Sequence, residues 1–135
     1  MDLTSLRILI IDDSDLSCAL LSVILRSDNY NIVGIANDAN TGIKMAQTHK
    51  PDVVFLDIVM PEVSGLDALP SLKKLLPNAA IVMVSGVDDN DMVTSAIQLG
   101  ANGYIIKPFN TASVIGTMKK IKEKFVLAKP VPDAR

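Results

Sequence analysis

The chain has 135 residues, 49% of them hydrophobic, and a formal net charge of −2; this suits one domain around one core and gives no electrostatic case for nucleic-acid binding. No apolar run reaches the length of a membrane span, residues 1–11 lack the basic start and long apolar core of a secretory signal, and a single cysteine, Cys18, excludes an internal disulfide and a cysteine metal cluster. A cytoplasmic protein is expected.

The acidic residues are lopsided, thirteen Asp against two Glu, and Asp favours caps, turns and strand ends over helix interiors. Residues 6–11 read as a strand, with Ile8, Leu9, Ile10 and Ile11 unbroken. Asp12-Asp13 follow at once. Ser14 is a suitable N-cap for a helix over 16–27, with Leu16, Leu20, Leu21 and Ile24 expected inward. The opposite face would carry Cys18, Ala19, Ser22 and Arg26, either as a solvent face or as a docking surface for a partner helix. Residues 31–36 form a second strand. Asn37-Asp38 then turn into a helix over 39–48, weakened by Gly42.

The run Val53-Val54-Phe55-Leu56 is β-branched and aromatic, reads as a strand buried on both faces, and ends at Asp57. Gly65 opens a helix over 66–76 with Leu66, Leu69, Leu72, Leu75 and Leu76 inward. Pro70 within it is expected to kink or shift the first turns. A fourth buried strand over 79–84 ends at Ser85-Gly86. Asp88 is a candidate cap for a helix to Leu99, with Gly100 as its stop. Residues 103–106 are a short fifth strand ending at Lys107-Pro108. The last helix spans 111–125, with Val114, Ile115, Met118, Ile121 and Phe125 on one side. Lys119, Lys120, Lys122 and Lys124 crowd its end, where cations suit the helix dipole. Residues 128–135, with Pro130 and Pro132, read as a tail or the start of a linker.

Strands alternating with helices of this length imply a parallel sheet with helices on both faces. Such a sheet puts the carboxyl ends of its strands on one edge, where ligands collect. Asp12, Asp13, Asp57, Ser85 and Lys107 all fall at strand ends and are expected to converge. Three carboxylates together repel and call for a cation. Oxygen ligands without Cys or His select a hard ion, and Mg²⁺ is the expected one. A lysine supplies a point charge for phosphate, a serine supplies a hydroxyl donor, and an Asp can itself be a nucleophile that forms an aspartyl phosphate. The set reads as Mg²⁺-dependent phosphoryl transfer to a carboxylate.

Four segments carry a resemblance: Ile10-Ile11-Asp12-Asp13; Leu56-Asp57-Ile58-Val59-Met60-Pro61 with Gly65-Leu66; Val84-Ser85-Gly86; and Gly100-Ala101-Asn102-Gly103-Tyr104-Ile105-Ile106-Lys107-Pro108-Phe109. Over residues 6–126 the sequence resembles the receiver domain of bacterial two-component response regulators, of the single-domain, chemotaxis type. The resemblance implies a doubly wound, flavodoxin-like (βα)5 fold with strand order 2-1-3-4-5. It implies a receiver domain over 1–126 and a flexible tail or linker over 127–135. Asp57 becomes the phosphoacceptor, loaded from a phosphohistidine on a sensor histidine kinase or phosphotransfer protein. Asp12, Asp13, Asp57 and the main-chain carbonyl of Val59 become the Mg²⁺ ligands. Ser85 and Lys107 become phosphate-binding groups, Tyr104 an aromatic switch, and the bond before Pro108 cis.

By the same resemblance, the domain assists its own phosphorylation and slow dephosphorylation and is otherwise not an enzyme. The kinase is placed against the first helix and the loop near Phe109. The face of the fourth helix, fifth strand and fifth helix would control a downstream protein target or an output domain. A homodimer formed on phosphorylation is one assembly this allows; membrane binding and direct nucleic-acid binding are not implied. Val59 and Val87 lie two residues past Asp57 and Ser85 and give a hydrolytic water no side-chain hydrogen bond, which predicts slow loss of the phosphoryl group.

Two other readings compete. Haloacid dehalogenase-like phosphatases also use an Asp nucleophile, Mg²⁺, Ser or Thr and Lys, and Asp13-Ser14-Asp15 imitates their motif. That motif needs its nucleophile after strand one and leaves Asp57 without a role. A non-phosphorylated interaction module with a relic acidic site is the other. His49, the one histidine, reads as a solvated helix-end residue, and Cys18 as an inert small side chain.

Overall fold

The computed structural model describes residues 6–86 and 89–128, those at 125–128 by backbone alone. Five strands, β1 (Arg7–Ile11), β2 (Asn31–Ala36), β3 (Val53–Asp57), β4 (Ala80–Ser85) and β5 (Gly103–Ile106), alternate with five helices, α1 (Asp15–Ser27), α2 (Ala39–His49), α3 (Gly65–Leu75), α4 (Asn90–Gln98) and α5 (Thr111–Ala128). All strand pairs are parallel, in the order β2-β1-β3-β4-β5. This is the doubly wound, flavodoxin-like arrangement, with its topological switch between β1 and β3.

Side chains alternate across the strands and build two core layers. Leu9, Ile11, Val54, Leu56, Ile81 and Met83 face the layer shared with buried residues of α2, α3 and α4, such as Ala46, Leu69 and Ala96. Ile8, Ile10, Phe55, Val82 and Val84 face the layer shared with Leu21 and Leu25 of α1 and Val114, Met118 and Ile121 of α5. The central strands β3 and β4 are buried at every position, which is why they read as continuous apolar runs.

The caps follow local chemistry. Ser14, Asp38, Ser64 and Asp89 each accept a backbone N–H from the first turn of the helix that follows. The cap of α4 is thus Asp89; Asp88, the residue expected there, lies outside the described residues. Gly100 has φ +108 and ends α4 in the left-handed region open to glycine. Pro70 lies exposed within α3, which is assigned without a break from Gly65 to Leu75. Helix α5 extends to Ala128, so the lysines at 119–124 sit within the helix and not in its last turn. Phe125 lies among the residues described by backbone alone.

The orientation of α1 corrects the sequence-based expectation in part: Leu21 is fully buried and Ile24 packs half-buried against the core as expected, but Leu16 and Leu20 do not. Cys18, Leu21, Ser22 and Leu25 are its buried residues. Leu16, Leu20 and Val23 are 70%, 47% and 68% exposed, and Ala19 is exposed beside them. The buried stripe has the i, i+3, i+4, i+7 spacing of a helix face. Small Cys18 and Ser22 face inward, and the aliphatic stripe lies in solvent.

Glycine allows close approach where α3 meets the sheet. A Cβ on Gly65 would lie 2.0 Å from the Asp57 carbonyl oxygen, a backbone atom with no freedom to move aside. Gly65 N–H also donates to the Ile58 carbonyl at 2.8 Å. Gly42 has a similar reason: a Cβ there would meet the Ile11 side chain at 2.4 Å, so α2 gains a close fit where propensity alone suggested weakness. Gly116 on α5 is exposed, with nothing near a built Cβ. Gly65→Ala is therefore expected to destabilise the fold by about 1–3 kcal/mol or more through overpacking. Gly116→Ala should stabilise it by roughly 0.5–1 kcal/mol through helix propensity. Urea midpoints of the two variants, moving in opposite directions from the parent, check both.

Candidate cation and phosphoryl-transfer site

Each polar residue of the site stands at or just past the end of a strand. Asp57 is the last residue of β3 and pairs in register with Val84. Asp12 follows β1 and donates its N–H to the Ala36 carbonyl at 2.9 Å, one rung beyond the β1–β2 ladder. Ser85 ends β4 and pairs with Ile106. Lys107 follows β5, and its N–H donates to the Ser85 carbonyl at 2.8 Å. The ladder thus fixes the backbone of all four, and parallel pairing puts them on one edge.

The three carboxylates converge: Asp12, Asp13 and Asp57 each present an oxygen within 4.8 Å of the others. Asp12 and Asp57 are buried, 1% and 5% exposed, whereas Asp13 is exposed. Lys107 Nζ lies 2.9 Å from Asp12 Oδ2 and 3.6 Å from Asp57 Oδ1. Among the described residues these are the only ion pairs. Asp12 Oδ2 is fully buried and receives no well-aligned hydrogen bond, despite its short distance to the ammonium. Asp12 Oδ1 accepts the Ser14 N–H at 2.9 Å. One lysine therefore faces three carboxylates.

The electrostatics follow from that imbalance. Burial, then the charge of Asp12, pushes the Asp57 carboxyl up to about 7, against the opposing pull of Lys107. Burial alone would lower the Lys107 pKa, but the hydrogen-bonding and charge contributions of Asp12 and Asp57 together raise it above its ordinary value. Burial and the charges of Asp12 and Asp15 push the Cys18 thiol up to about 11, so it stays protonated and unreactive at neutral pH. Its Sγ donates to the Asp12 carbonyl at 3.3 Å.

The donor set fits a hard cation: carboxylates only, clustered, under-neutralised, with one buried oxygen lacking an aligned donor. Val59, in the loop after β3, is 65% exposed. Val87, its expected counterpart past Ser85, lies outside the described residues. The Lys107–Pro108 peptide bond is cis. Tyr104 is half-buried on β5, opposite Met83 and against the core layer of α2, α3 and α4; it is not one of the three clustered carboxylates' neighbours in the ladder. His49 closes α2 and is not in the cluster. Sequence reasoning passed over two groups that touch the site, Cys18 and Asn37. Both bind the Asp12 carbonyl, and neither type carries a motif.

A family model for the response regulator receiver domain matches residues 8–119 of the chain. The chain belongs to this family. It is 34% identical to the chemotaxis protein CheY of Thermotoga maritima over 117 residues, covering 87% of this chain and 98% of that one. It is 35% identical to CheY of Bacillus subtilis, covering 84% and 95%. Among solved structures, the CheX–CheY–BeF3–Mg²⁺ complex of Borrelia burgdorferi contains a chain with TM-score 0.83 and 29% identity, covering 86% of this receiver and 88% of that chain. The receiver also matches the transcriptional regulatory protein PdtaR of Mycobacterium tuberculosis at 34% identity, but spans 58% of its length. Among the described residues, no helix is long and apolar enough to cross a membrane.

The raised Asp57 pKa has a signed consequence for stability. In an unfolded chain this carboxyl ionises near pH 4; in the folded, metal-free receiver it ionises near 7. Between those values the folded state holds a proton that the unfolded state has released. Stability therefore falls as pH rises from about 4 to about 7, and the full cost persists above 7. Asp57→Asn removes that cost. Its gain in unfolding free energy in chelator is expected to be on the order of 2 kcal/mol at pH 8 and near zero at pH 4. Paired urea titrations at the two pH values measure it, and an equal gain at both would contradict the assignment.

Proposed function

We propose that Asp57 is the phosphoacceptor of this receiver, loaded from the phosphohistidine of a sensor histidine kinase or phosphotransfer protein. The observation that carries the reading is the cluster itself: a buried carboxylate beside two others and one lysine, at the carboxyl edge of the sheet. In the transfer, an Asp57 carboxylate oxygen forms a bond to phosphorus as the phosphorus–nitrogen bond breaks, and the electron pair leaves with the imidazole. Lys107 neutralises charge on the phosphoryl oxygens, and the Ser85 hydroxyl donates to one of them. Asp12, Asp13, Asp57 and the carbonyl of Val59 are the groups that would hold Mg²⁺. When bound, the ion offsets the repulsion among carboxylates and the charge of the incoming phosphoryl group.

The step is stoichiometric, so the domain acts as a signalling acceptor that assists its own modification and slow reversal. Tyr104 then serves as the switch residue that carries the change to the face of α4, β5 and α5, where Ile97, Leu99 and Ile106 are 50%, 42% and 38% exposed. That face would meet a downstream protein or an output domain, or a second copy on phosphorylation. The domain is read as residues 1–126, in a cytoplasmic setting; helix α5 carries two residues past that bound, to Ala128, so a tail or linker would begin after it. The phosphatase alternative gains no support from the site. Asp13 and Asp15, the pair that imitates its motif, are both exposed, whereas Asp57 occupies the buried position.

Incubation with Mg²⁺ and a small phosphodonor is expected to add one phosphoryl group by intact mass. None should be added to Asp57→Asn, and none in chelator. The same spectra followed in time give the lifetime. It should be long relative to receivers with polar residues at the positions of Val59 and Val87, because neither valine can orient a water.

The exposed stripe Leu16, Ala19, Leu20 and Val23 supports α1 as the docking surface for the phosphodonor protein, with the aliphatic side chains as its contacts. Ala19→Glu should slow transfer from a histidine kinase active on the parent by about tenfold while leaving labelling by a small phosphodonor unchanged. Equal losses with both donors would remove α1 from the docking surface.

A further inference from the structure

Asp13 is the exposed member of the carboxylate cluster. No hydrogen bond or ion pair to another described residue holds its side chain, so what the fold fixes is its backbone and the direction of its Cα–Cβ bond. The N–H of Asp13 and the carbonyl of Asp12 belong to one planar peptide unit. Fixing that carbonyl fixes the plane on which Asp13 is mounted.

Two side chains fix it. Asn37 Nδ2, from the turn after β2, donates to the Asp12 carbonyl at 3.1 Å. Cys18 Sγ donates to the same oxygen at 3.3 Å. The amide is the stronger donor, since a thiol hydrogen bond is weak. Asn37 is also placed to do this by the sheet. Asp12 N–H already donates to the carbonyl of Ala36, the residue before it. The side-chain amide of Asn37 returns the bond in the other direction. It acts as one more rung of the β1–β2 ladder, made by a side chain where the backbone pairing stops. Asn37 Nδ2 also reaches Asp15 Oδ1 at 3.4 Å, which ties the start of α1 to the same amide.

We propose that Asn37 is a positioning residue for the divalent cation: by holding the Asp12–Asp13 peptide it keeps Asp13 turned toward Asp12 and Asp57 and so raises cation affinity. The inference rests on reading the cluster as a cation site. It assigns Asn37 no contact with the ion. Groups that orient ligands in this way commonly change metal affinity by about tenfold or more when removed. Asn37 shares its acceptor with Cys18 and is itself exposed, so the low end of that range is expected.

The test is calorimetric titration of the full chain with Mg²⁺, for the parent, Asn37→Ala and Asn37→Gln, beside urea unfolding of each in chelator. Asn37→Ala is expected to weaken Mg²⁺ binding about tenfold with the metal-free urea midpoint unchanged. Asn37→Gln, which keeps an amide donor, should recover part of the affinity. Unchanged affinity in Asn37→Ala would overturn the proposal. So would weaker affinity accompanied by a matching loss of metal-free stability and no recovery in Asn37→Gln, since the amide would then be a structural tie. A parent chain that binds no Mg²⁺ would overturn the cation reading of the cluster, and the role of Asn37 with it.

Discussion

Two buried carboxylates share the end of a sheet with a single ammonium, and the rest of the molecule is arranged around that unfavourable group. Neither Asp12 nor Asp57 has water enough to carry its charge comfortably, and Lys107 cannot neutralise both. Burying them requires rigid neighbours on all sides. Parallel pairing supplies the rigidity: each site residue is at most one step past a ladder bond, above a core packed on both faces. The residual negative charge is a cost to stability. It is also what suits the carboxylate cluster to a hard cation.

Much of this was legible in the sequence because the sheet is parallel and buried. Apolar runs such as Val53-Val54-Phe55-Leu56 mark central strands by composition alone, and polar residues that follow them must collect on one edge. The alternation of strands and helices then placed Asp12, Asp57, Ser85 and Lys107 together without any contact being known. The order of the strands was not available from pattern; it came through resemblance. Where a helix carries a single apolar stripe, as α3 does, its inward face was also legible, with Leu69 and Leu72 fully buried.

What escaped the sequence depended on phase and on distance. Helix α1 is apolar almost all round, so its period is clear while its rotation is undetermined. The buried face combines small Cys18 and Ser22 with large Leu21 and Leu25, and Leu16, Leu20 and Val23 are turned out. A reading that sends Leu16 and Leu20 inward beside Leu21 rotates the helix away from its true face, which is Cys18, Leu21, Ser22 and Leu25. Gly42 escaped in a related way, because a glycine within a helix is read as weakness until the atom it makes room for is known. Asn37 touches Asp12 across 25 positions of sequence, and no local pattern marks a contact of that span.

The helices are not fastened equally. Helix α4 has one buried residue, Ala96, whereas α1 and α3 have four each. Every fully buried aliphatic side chain contributes roughly 1.5–3 kcal/mol, and alanine contributes less. The local free energy of displacing α4 is therefore the lowest among the helices compared, while the carboxylate edge stands on the stiffest strands. The carboxylate edge thus stands on strands packed on both faces by large side chains, whereas α4 is anchored by an alanine with half-buried Met92 beside it, and that contrast in anchoring is built from side-chain volume.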